Sequence, residues 1–394
     1  MPRALLLLPT ATYRAADFVA AARALGVEVV VASEEAPVLA ATMGDRAVTV
    51  PLDDPDQAAR VIEALDARSP IDAVVAVDDQ GVVVAAQAGE RLGFPHNPPD
   101  AVARTRDKAA MRDALAAAEV PQPRYARLAA PDDLPDVGWP RVVKPTRSSA
   151  SRGVIRADDP AGAEAAARQA AAIAGQPLLV EEYVPGVEVA VEGLLRGGEL
   201  TVLAVFDKPD AMEGPYFEET IYVTPSRLPE ETLASVRRVA ADAAGALGLT
   251  EGPVHAELRV HEGRVSVLEV AARSIGGLCA RSLRLGAGIS LEEVILRHAL
   301  QLPIEDLTRE PQASGVMMLP IPRSGTLVAV RGQDDARAVP GIVGLEVTIP
   351  RGRAVRALPE GDRYLGFLFA RAPDPAGVED ALRRAHARLT VEIA

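Results

Sequence analysis

Residues 255–277, HAELRVHEGRVSVLEVAARSIGG, predict a β-hairpin running into a glycine-rich turn. Side chains alternate between the two faces of a strand, so the loop length determines whether Glu257 and Glu269 lie on the same face. A two-residue turn at Glu262 and Gly263 would pair residue 257 with 268 and place Glu269 on the opposite face. A three-residue loop, 261–263, would pair 257 with 267 and put both carboxylates on one face. Glycine at the third loop position favours the three-residue loop.

Two carboxylates on one face repel each other unless a proton or a cation neutralises them. An oxygen-only ligand pair with room for phosphate oxygens suits Mg²⁺. On the hairpin alone, a solvated sheet face with alternating glutamates is the favoured alternative. Arg273, with Gly276 and Gly277 just beyond it, shifts the balance, because a fixed guanidinium beside a metal suits an oxyanion or a phosphoryl group.

Length and composition restrict the class of protein. The 394 residues predict two or three domains, and 48% apolar residues with 3% aromatic predict a core of Ala, Val and Leu. A net charge of −13 argues against an extended nucleic-acid surface or a polybasic membrane patch. Cys279 is the single cysteine, so no internal disulfide can form. The run ALLLLP is too short for a signal peptide or a membrane span, and we expect a cytoplasmic protein.

The N-terminal part alternates strands and helices, which predicts a parallel α/β sheet. No GxGxxG follows the first strand, so a dinucleotide site is not supported. A break at FPHNPPD suggests a linker near residues 95–100. One long strand is predicted over 177–195. Helices are predicted over 14–25, 161–174, 229–248, 290–300 and 376–389.

Lysine is rare: of 42 basic residues only Lys108, Lys144 and Lys208 are lysines. A lysine that persists in an arginine-rich chain is a candidate for a role that needs a compact ammonium. Lys144 ends an apolar strand before the small-residue loop TRSSASRGV (146–154), which can lie over phosphates. Lys108 lies in the first turn of a helix, and both lysines would act as point charges on a polyphosphate.

Two further carboxylates stand in VEEYVPGVEV, where Glu181 and Glu188 flank Val184. Apolar contact for a base, with carboxylates for an exocyclic amine and ribose hydroxyls, is what an adenosine needs. An edge strand with acidic ends is the commoner explanation of this pattern taken alone, so the order of all these features along the chain matters more.

In that order, the features resemble the ATP-grasp superfamily over essentially the whole chain, and within it the carboxylate–amine ligases that join amino acids. The resemblance rests on DKAAMRDAL, VVKP, VEEYVPGVEV, FEETIYVTPS, HAEL, LEVAARSIGG and parts of the C-terminal tail. It implies an α/β and α+β chain with the ATP-grasp fold. The implied parts are an α/β pre-ATP-grasp domain (1–100), a first grasp subdomain or lid (101–190), a second subdomain with the metal site (191–300) and a small C-terminal segment (301–394).

The resemblance also implies roles for individual residues. Catalysis would fall to Arg273 and the backbone at Gly276, and Mg²⁺, with Mn²⁺ as an alternative, would be held by Glu257 and Glu269. The residues implied to bind ATP are Lys108, Lys144, Ser151, Glu181, Val184, Glu188 and Leu268. The resemblance places Tyr222 and Gly277 at the substrate pocket, and His255 and Lys208 are further candidates there. Lys208 is expected on a loop covering the site, and His255 is either a partner of the metal site or a packed core histidine.

Two departures from the superfamily pattern stand out. Ala271 occupies the position where many members have Asn, which leaves the number of metal ions open. The phosphate loop carries Ser148, Ser149, Ala150 and Ser151 where more glycine is common.

The expected activity is ATP-dependent amide formation through an acyl phosphate, with a small carboxylate and an amine as substrates. Two alternatives stay open. One is an ATP-grasp carboxylase or purine-pathway enzyme that activates bicarbonate or formate, and the other is a non-catalytic ATP-binding module. No nucleic-acid or membrane partner is expected. Relatives of this kind are often dimers, and the sequence does not decide the oligomeric state.

Overall fold

The N-terminal part of the chain forms a four-stranded parallel sheet in the order β3-β2-β1-β4, as the alternating pattern predicts. The structure is a computed structural model that describes residues 1–36, 40–128, 134–175 and 177–394. A short turn, Asp79–Gly81, follows the last strand of this sheet. The elements are β1 (Arg3–Leu7), α1 (Ala15–Ala24), β2 (Glu28–Ser33), α2 (Ala40–Met43), β3 (Ala47–Thr49), α3 (Pro55–Asp66), β4 (Ala73–Ala76) and α4 (Val82–Leu92).

A second, antiparallel sheet of four strands follows two helices and has the order β5-β8-β6-β7. Asp107 caps the second helix by accepting hydrogen bonds from the N–H groups of Ala109 and Ala110, which makes Lys108 its first residue. The elements are α5 (Pro99–Thr105), α6 (Lys108–Ala117), β5 (Tyr125–Leu128), β6 (Arg141–Pro145), β7 (Ile155–Ala157), α7 (Pro160–Ala174) and β8 (Leu178–Glu182).

The largest sheet has eight strands in the order β13-β12-β9-β10-β11-β14-β18-β16, and a small three-stranded sheet, β17-β15-β19, completes the chain. Strands from the C-terminal part therefore continue the sheet that carries the 255–277 hairpin. The elements are β9 (Val187–Arg196), β10 (Glu199–Lys208), β11 (Ile221–Thr224), α8 (Glu230–Leu247), β12 (Gly252–His261), β13 (Arg264–Ala271), α9 (Leu291–Ala299), β14 (Ala313–Leu319), β15 (Gly325–Arg331), α10 (Gln333–Arg337), β16 (Ile342–Val347), β17 (Ala354–Val355), β18 (Gly366–Ala372), α11 (Pro375–His386) and β19 (Thr390–Ile393).

The single strand predicted over 177–195 is wrong, because the chain breaks there and changes sheets. β8 ends at Glu182 in the four-stranded sheet, and β9 begins at Val187 in the eight-stranded one. Gly186 makes the break feasible: its φ is +102°, and a Cβ there would lie 2.1 Å from the carbonyl oxygen of Val260. Residues 183–186 thus connect the two sheets.

The hairpin register differs from the favoured prediction, yet both glutamates still face the same way. The turn has two residues, Glu262 and Gly263, both with positive φ (48° and 77°), and His261 pairs with Arg264. A β-bulge at Leu268 then shifts the pairing by one residue, so that Glu257 pairs with Glu269. The bulge supplies the shift that the three-residue loop was expected to supply.

The N-terminal sheet packs against the central one through a shared apolar core. Leu6 and Phe18 belong to the same buried cluster as Phe206 and Phe367. Within this contact, Arg14 is 1% exposed and its NH2 atom lies 3.2 Å from a carboxylate oxygen of Glu292 in α9. The packing brings the carboxyl end of the parallel sheet to the hairpin. No helix in the described part of the chain is long and apolar enough to cross a membrane.

Candidate active site

A cavity of about 370 Å³ lies where the three larger sheets meet. Fourteen of the fifteen predicted site residues line it: Lys108, Lys144, Ser151, Glu181, Val184, Glu188, Tyr222, His255, Glu257, Leu268, Glu269, Arg273, Gly276 and Gly277. The fifteenth, Lys208, donates hydrogen bonds to glutamates in the wall. Residues that are up to 169 positions apart in the sequence therefore converge on one space.

The hairpin glutamates form one wall of the cavity. Their side chains keep exposures of 23% for Glu257 and 31% for Glu269, so both can reach a ligand. Burial and the neighbouring charge of Glu219 raise the pKa of Glu257, although Lys208 opposes the shift. A divalent cation would relieve this tendency to take up a proton. The pair thus fits the oxygen-ligand chemistry of Mg²⁺.

Two lysines point into the same cavity, Lys144 from strand β6 and Lys108 from the first turn of helix α6. Lys108 Nζ donates to the carbonyl of Ser148 at 2.7 Å and lies 3.1 Å from Glu269 Oε1. Lys144 Nζ lies 2.7 Å from Glu181 Oε2. The contact with Ser148 ties α6 to the small-residue loop, which returns through β7 as predicted. Both ammonium groups are therefore fixed before any phosphate arrives.

Glu181 is the centre of a buried charge cluster. Arg112, which is 0% exposed, donates to its two carboxylate oxygens at 2.6 and 3.2 Å and also to the carbonyls of Val267 and Leu268. Burial would raise the pKa of Glu181, but Arg112 and Lys144 outweigh it and lower that pKa to about 2. Burial lowers the pKa of Lys144 to about 8 despite the Glu181 carboxylate. Arg112 thus joins β8 of the antiparallel four-stranded sheet to the β12–β13 hairpin.

The expected position of Lys208 is wrong, because it is the last residue of β10 and not part of a covering loop. Its side chain is 3% exposed, and Nζ donates to Glu188 and Glu219 at 2.6 Å each and to Glu257 at 3.1 Å. Burial would lower the pKa of Lys208, but the three carboxylates raise it well above its usual value. Lys208 is therefore a permanent internal cation beside the cavity.

Carboxylate oxygens of Glu188, Glu219 and Glu257 lie within 4.8 Å of one another and form a second group capable of holding a metal. Lys208 already bonds to all three, so a metal there would compete with its ammonium group. Ala271 lines the cavity without an oxygen ligand in its side chain. Each of the two hairpin carboxylates also meets one lysine, Lys208 at Glu257 and Lys108 at Glu269.

His255 is both a cavity residue and a buried one. Its Nδ1 lies 3.1 Å from Glu192 Oε2, which also accepts from the N–H of Ile275, and its Nε2 lies 3.7 Å from Glu257. Burial would lower the pKa of His255, but hydrogen bonding to Glu192 and Glu257 raises it. The imidazole therefore lies behind the glutamate wall and contacts both Glu192 and Glu257.

Arg273 extends along the cavity wall with its guanidinium held by the N-terminal part of the chain. Nε lies 3.0 Å from Asp79 Oδ1, NH2 donates to Asp79 Oδ2 at 3.0 Å, and NH1 donates to the carbonyl of Ser274 at 2.9 Å. Asp79 also meets Arg106, whose NH1 lies 2.9 Å from Oδ1. The guanidinium thus has a fixed orientation beside Glu269.

A third part of the cavity is formed by aromatic and small residues. The hydroxyls of Tyr222 and Tyr364 donate to the two oxygens of Glu219 at 2.7 and 3.1 Å. Gly277 has φ +59°, and a Cβ there would lie 2.8 Å from the ring of Phe367. A side chain at position 277 would have to displace that ring, so the positive φ and the close approach of Phe367 both favour glycine here.

Four residues with a clear part in the site were missed from the sequence: Asp79, Arg112, Glu219 and Arg259. Arg259 donates to Glu188 Oε2 at 3.0 Å and to the carbonyl of Val184 at 2.7 Å, so it holds the connection between β8 and β9 in place. Glu219 stands in the FEET motif that was already quoted for the resemblance. Asp79 follows a parallel strand at its carboxyl end, where ligand sites of α/β sheets gather. The FEET motif and the carboxyl end of the parallel strand are therefore signals from which Glu219 and Asp79 can be predicted.

Comparison with known proteins finds three family models along the chain. An ATP-grasp N-terminal domain model matches residues 19–96, an ATP-grasp domain model matches residues 137–282, and an L-amino acid ligase C-terminal domain 2 model matches residues 317–394. The chain therefore belongs to the ATP-grasp superfamily, whose fold binds ATP, and the predicted fold class is confirmed. Within it, the C-terminal match is to a domain of the L-amino acid ligases.

Individual relatives are distant. Alanine–anticapsin ligase of Bacillus subtilis is 27% identical over 253 residues, which are 57% of this chain and 53% of that protein. Formate-dependent phosphoribosylglycinamide formyltransferase of Synechococcus is 28% identical over 91% of both chains. The structure of an L-amino acid ligase from Bacillus licheniformis superposes with a TM-score of 0.82 at 24% identity, covering 100% of this chain and 99% of that one. The chain spans about half the length of the alanine–anticapsin ligases it matches.

Proposed function

We propose that this protein is an ATP-dependent carboxylate–amine ligase that joins amino acids and releases ADP and phosphate. The observation that carries the proposal is the meeting of Glu257, Glu269 and Arg273 with two fixed lysines in one cavity. Binding a nucleotide alone does not require two opposed carboxylates beside an oriented guanidinium. Such a set is suited to a reaction in which negative charge moves between phosphoryl and carboxyl oxygens.

The reaction proceeds in two displacements. A carboxylate oxygen of the acid attacks the γ-phosphorus of ATP, the bond to the ADP oxygen breaks, and an acyl phosphate forms. The amine nitrogen then attacks the acyl carbon, phosphate leaves with the former carboxylate oxygen, and the nitrogen loses a proton. Both steps depend on alignment and charge stabilisation, so the chain needs no nucleophilic side chain of its own.

The chain's residues divide this work by position. Lys108 and Lys144 hold the phosphates, and Glu188 and the Val184 segment hold the nucleoside, with the Glu181 carboxylate engaged by Arg112 and Lys144. Glu257 and Glu269 would hold Mg²⁺, which supplies charge neutralisation at the phosphates. The residues proposed for the acyl group and the substrate pocket are Arg273, Gly276, Gly277, Tyr222 and His255.

Isotope transfer tests the central step. The wild-type protein is incubated with ATP, Mg²⁺ and each amino acid labelled with ¹⁸O in its carboxyl group, singly and in pairs, and ADP release is measured. An active pair should yield an amide and inorganic phosphate carrying one ¹⁸O atom. Amide formation with unlabelled phosphate would refute the acyl phosphate, and no ADP release with any amino acid would refute the proposed substrate class.

A second candidate is supported by the Synechococcus relative, whose match spans 91% of this chain and whose name specifies formate. In that case the same acyl-phosphate chemistry would activate formate or bicarbonate. Hydroxylamine trapping separates the two, because it converts an activated acid into a hydroxamate that identifies the acid. Amino-acid hydroxamates support the ligase, whereas a formyl hydroxamate alone supports the alternative. ATP binding without any ADP release would indicate a non-catalytic module.

A further inference from the structure

Asp79 is the feature of the site that neither the motifs nor the proposed reaction explains. It lies in the turn after β4, 194 residues from Arg273 in the sequence, and its side chain is 16% exposed. It contacts the guanidinium groups of both Arg273 and Arg106. A carboxylate shared by two arginines at the edge of a cavity has either a structural or a functional reason.

The contacts leave part of the Arg273 guanidinium free for a ligand. The Asp79 carboxylate accepts a hydrogen bond from NH2 and lies beside Nε, and the carbonyl of Ser274 accepts a hydrogen bond from NH1. Within the part of the chain that the structure describes, one N–H on each terminal nitrogen has no partner. Those two N–H groups are a pair of donors suited to two oxygens of a phosphoryl or carboxyl group.

The alternative partner for Arg273 is on the same wall. Glu269 lies four residues earlier in the sequence and is close enough to act on the charge of Arg273, and it is the proposed metal ligand. Without an anion on its other side, the guanidinium would be drawn to Glu269 and would compete with a cation there. Asp79 supplies that anion from a separate sheet.

We propose that Asp79 is a positioning residue that holds the Arg273 guanidinium away from Glu269 and presents its two free N–H groups to the reacting acyl phosphate. This inference rests on the proposed ligase function. Asp79 touches no substrate itself. Its effect should therefore be seen in the rate of the chemical step and not in the affinity for ATP.

The experiment compares variants that separate charge from size. Asp79→Asn keeps the size and removes the charge, and it should lower kcat by about 10-fold to 100-fold with the KM for ATP within about threefold of wild type. Asp79→Glu keeps the charge and should recover part of the lost kcat. Glu292→Gln is the matched control: it removes a carboxylate from a buried ion pair with Arg14 that also joins the N-terminal part to the core, at a residue that does not line the cavity, and it should leave kcat within about twofold.

A second readout does not depend on knowing the substrates. Phenylglyoxal modifies accessible arginines, and peptide mass spectrometry gives the rate at Arg273 itself. That rate should rise several-fold in Asp79→Asn and stay at the wild-type value in Glu292→Gln. If wild type releases no ADP while this rate rises, the proposed function fails and the positioning role stands. Equal modification rates, or a kcat loss no larger than that of Glu292→Gln, would overturn the role of Asp79.

Discussion

Glu257 pairs with Glu269 directly across the β12–β13 hairpin, and the pairing exists because Leu268 forms a bulge one residue away. Without the bulge, the two-residue turn would place Glu269 on the opposite face. The insertion of a single residue into one strand therefore decides whether the chain has a pair of facing carboxylates. Bulges beside functional sites commonly re-aim side chains in this way.

The first prediction concerns this pair. Glu269→Gln should lower ADP release by roughly 100-fold to 1,000-fold, because an amide is a poor ligand for Mg²⁺ and cannot balance Lys108. ATP binding, measured by titration calorimetry, should persist because the nucleoside contacts are intact. Glu262→Gln is the control, since its side chain lies in the same hairpin at 84% exposure. Normal ADP release by Glu269→Gln would exclude Glu269 as a metal ligand.

The second prediction concerns Lys208. Lys208→Met leaves Glu188, Glu219 and Glu257 facing one another in a buried space, so the free energy of unfolding should fall by roughly 3–5 kcal/mol at neutral pH. Mg²⁺ should raise the melting temperature of this variant more than that of wild type, because the three carboxylates then offer an unneutralised site.

The control for Lys208 is Arg237→Met, which removes an exposed cation that pairs with the exposed Glu230. Its unfolding free energy should change by less than about 1 kcal/mol, with no added response to Mg²⁺. A Mg²⁺ response of Lys208→Met equal to that of wild type would contradict the cluster's capacity for a metal.

The third prediction is a pH dependence. Because burial lowers the pKa of Lys144 to about 8, its ammonium loses charge as the pH rises through 8. ATP affinity should therefore fall above pH 8, by up to about tenfold per pH unit. The free energy of unfolding should instead rise between pH 8 and about 10.4, because the lysine of the unfolded chain binds more protons in this range than that of the folded protein.

Calorimetric titration of ATP between pH 6.5 and 9.5 checks the affinity, with Lys144→Arg as the comparison. An arginine stays charged throughout this range, so its affinity should be weaker in absolute terms and independent of pH. A parallel fall in both proteins would assign the pH dependence to another group.

The fourth prediction concerns Arg112, which joins α6 and β8 to the backbone of β13. Arg112→Met should lower the free energy of unfolding by roughly 3–5 kcal/mol, because the variant leaves Glu181 with one cation and removes a donor from the carbonyls of Val267 and Leu268. Arg127→Met removes an exposed arginine that pairs with Asp113 and should change stability by about 0.5 kcal/mol or less. Urea denaturation measures both. Equal losses in the two variants would show that the buried pair contributes no more than a surface one.

Local patterns in the sequence were sufficient for much of this description. The helices after Asp107 and Asp159 follow from their capping residues, and the small-residue loop after Lys144 follows from its composition. Pro185 and Gly186 are a turn signal inside the strand predicted over 177–195, and the chain breaks at this signal. The domain boundaries and the roles of the site residues stay predictions.

Contacts between distant segments could not be predicted from these patterns. Lys208 meets Glu188 because β9 and β10 pair with these residues opposite each other, and no local pattern specifies the end of that pairing. Asp79 reaches Arg273 only because two sheets pack through a shared core. Charges that are neutralised by residues in other elements become visible only when those elements are assembled.

The scarcity of lysine gives the chain an unusual relation to proteolysis. Lys108, Lys144 and Lys208 have exposures of 5%, 6% and 6%, and all three lie at the cavity. A lysine-specific protease thus finds its cleavage sites shielded in the native protein, whereas an arginine-specific one meets many on the surface. Digestion by the former would report the unfolding of the helix and strands that carry these lysines, and a nucleotide that bridges the grasping sheets should slow it.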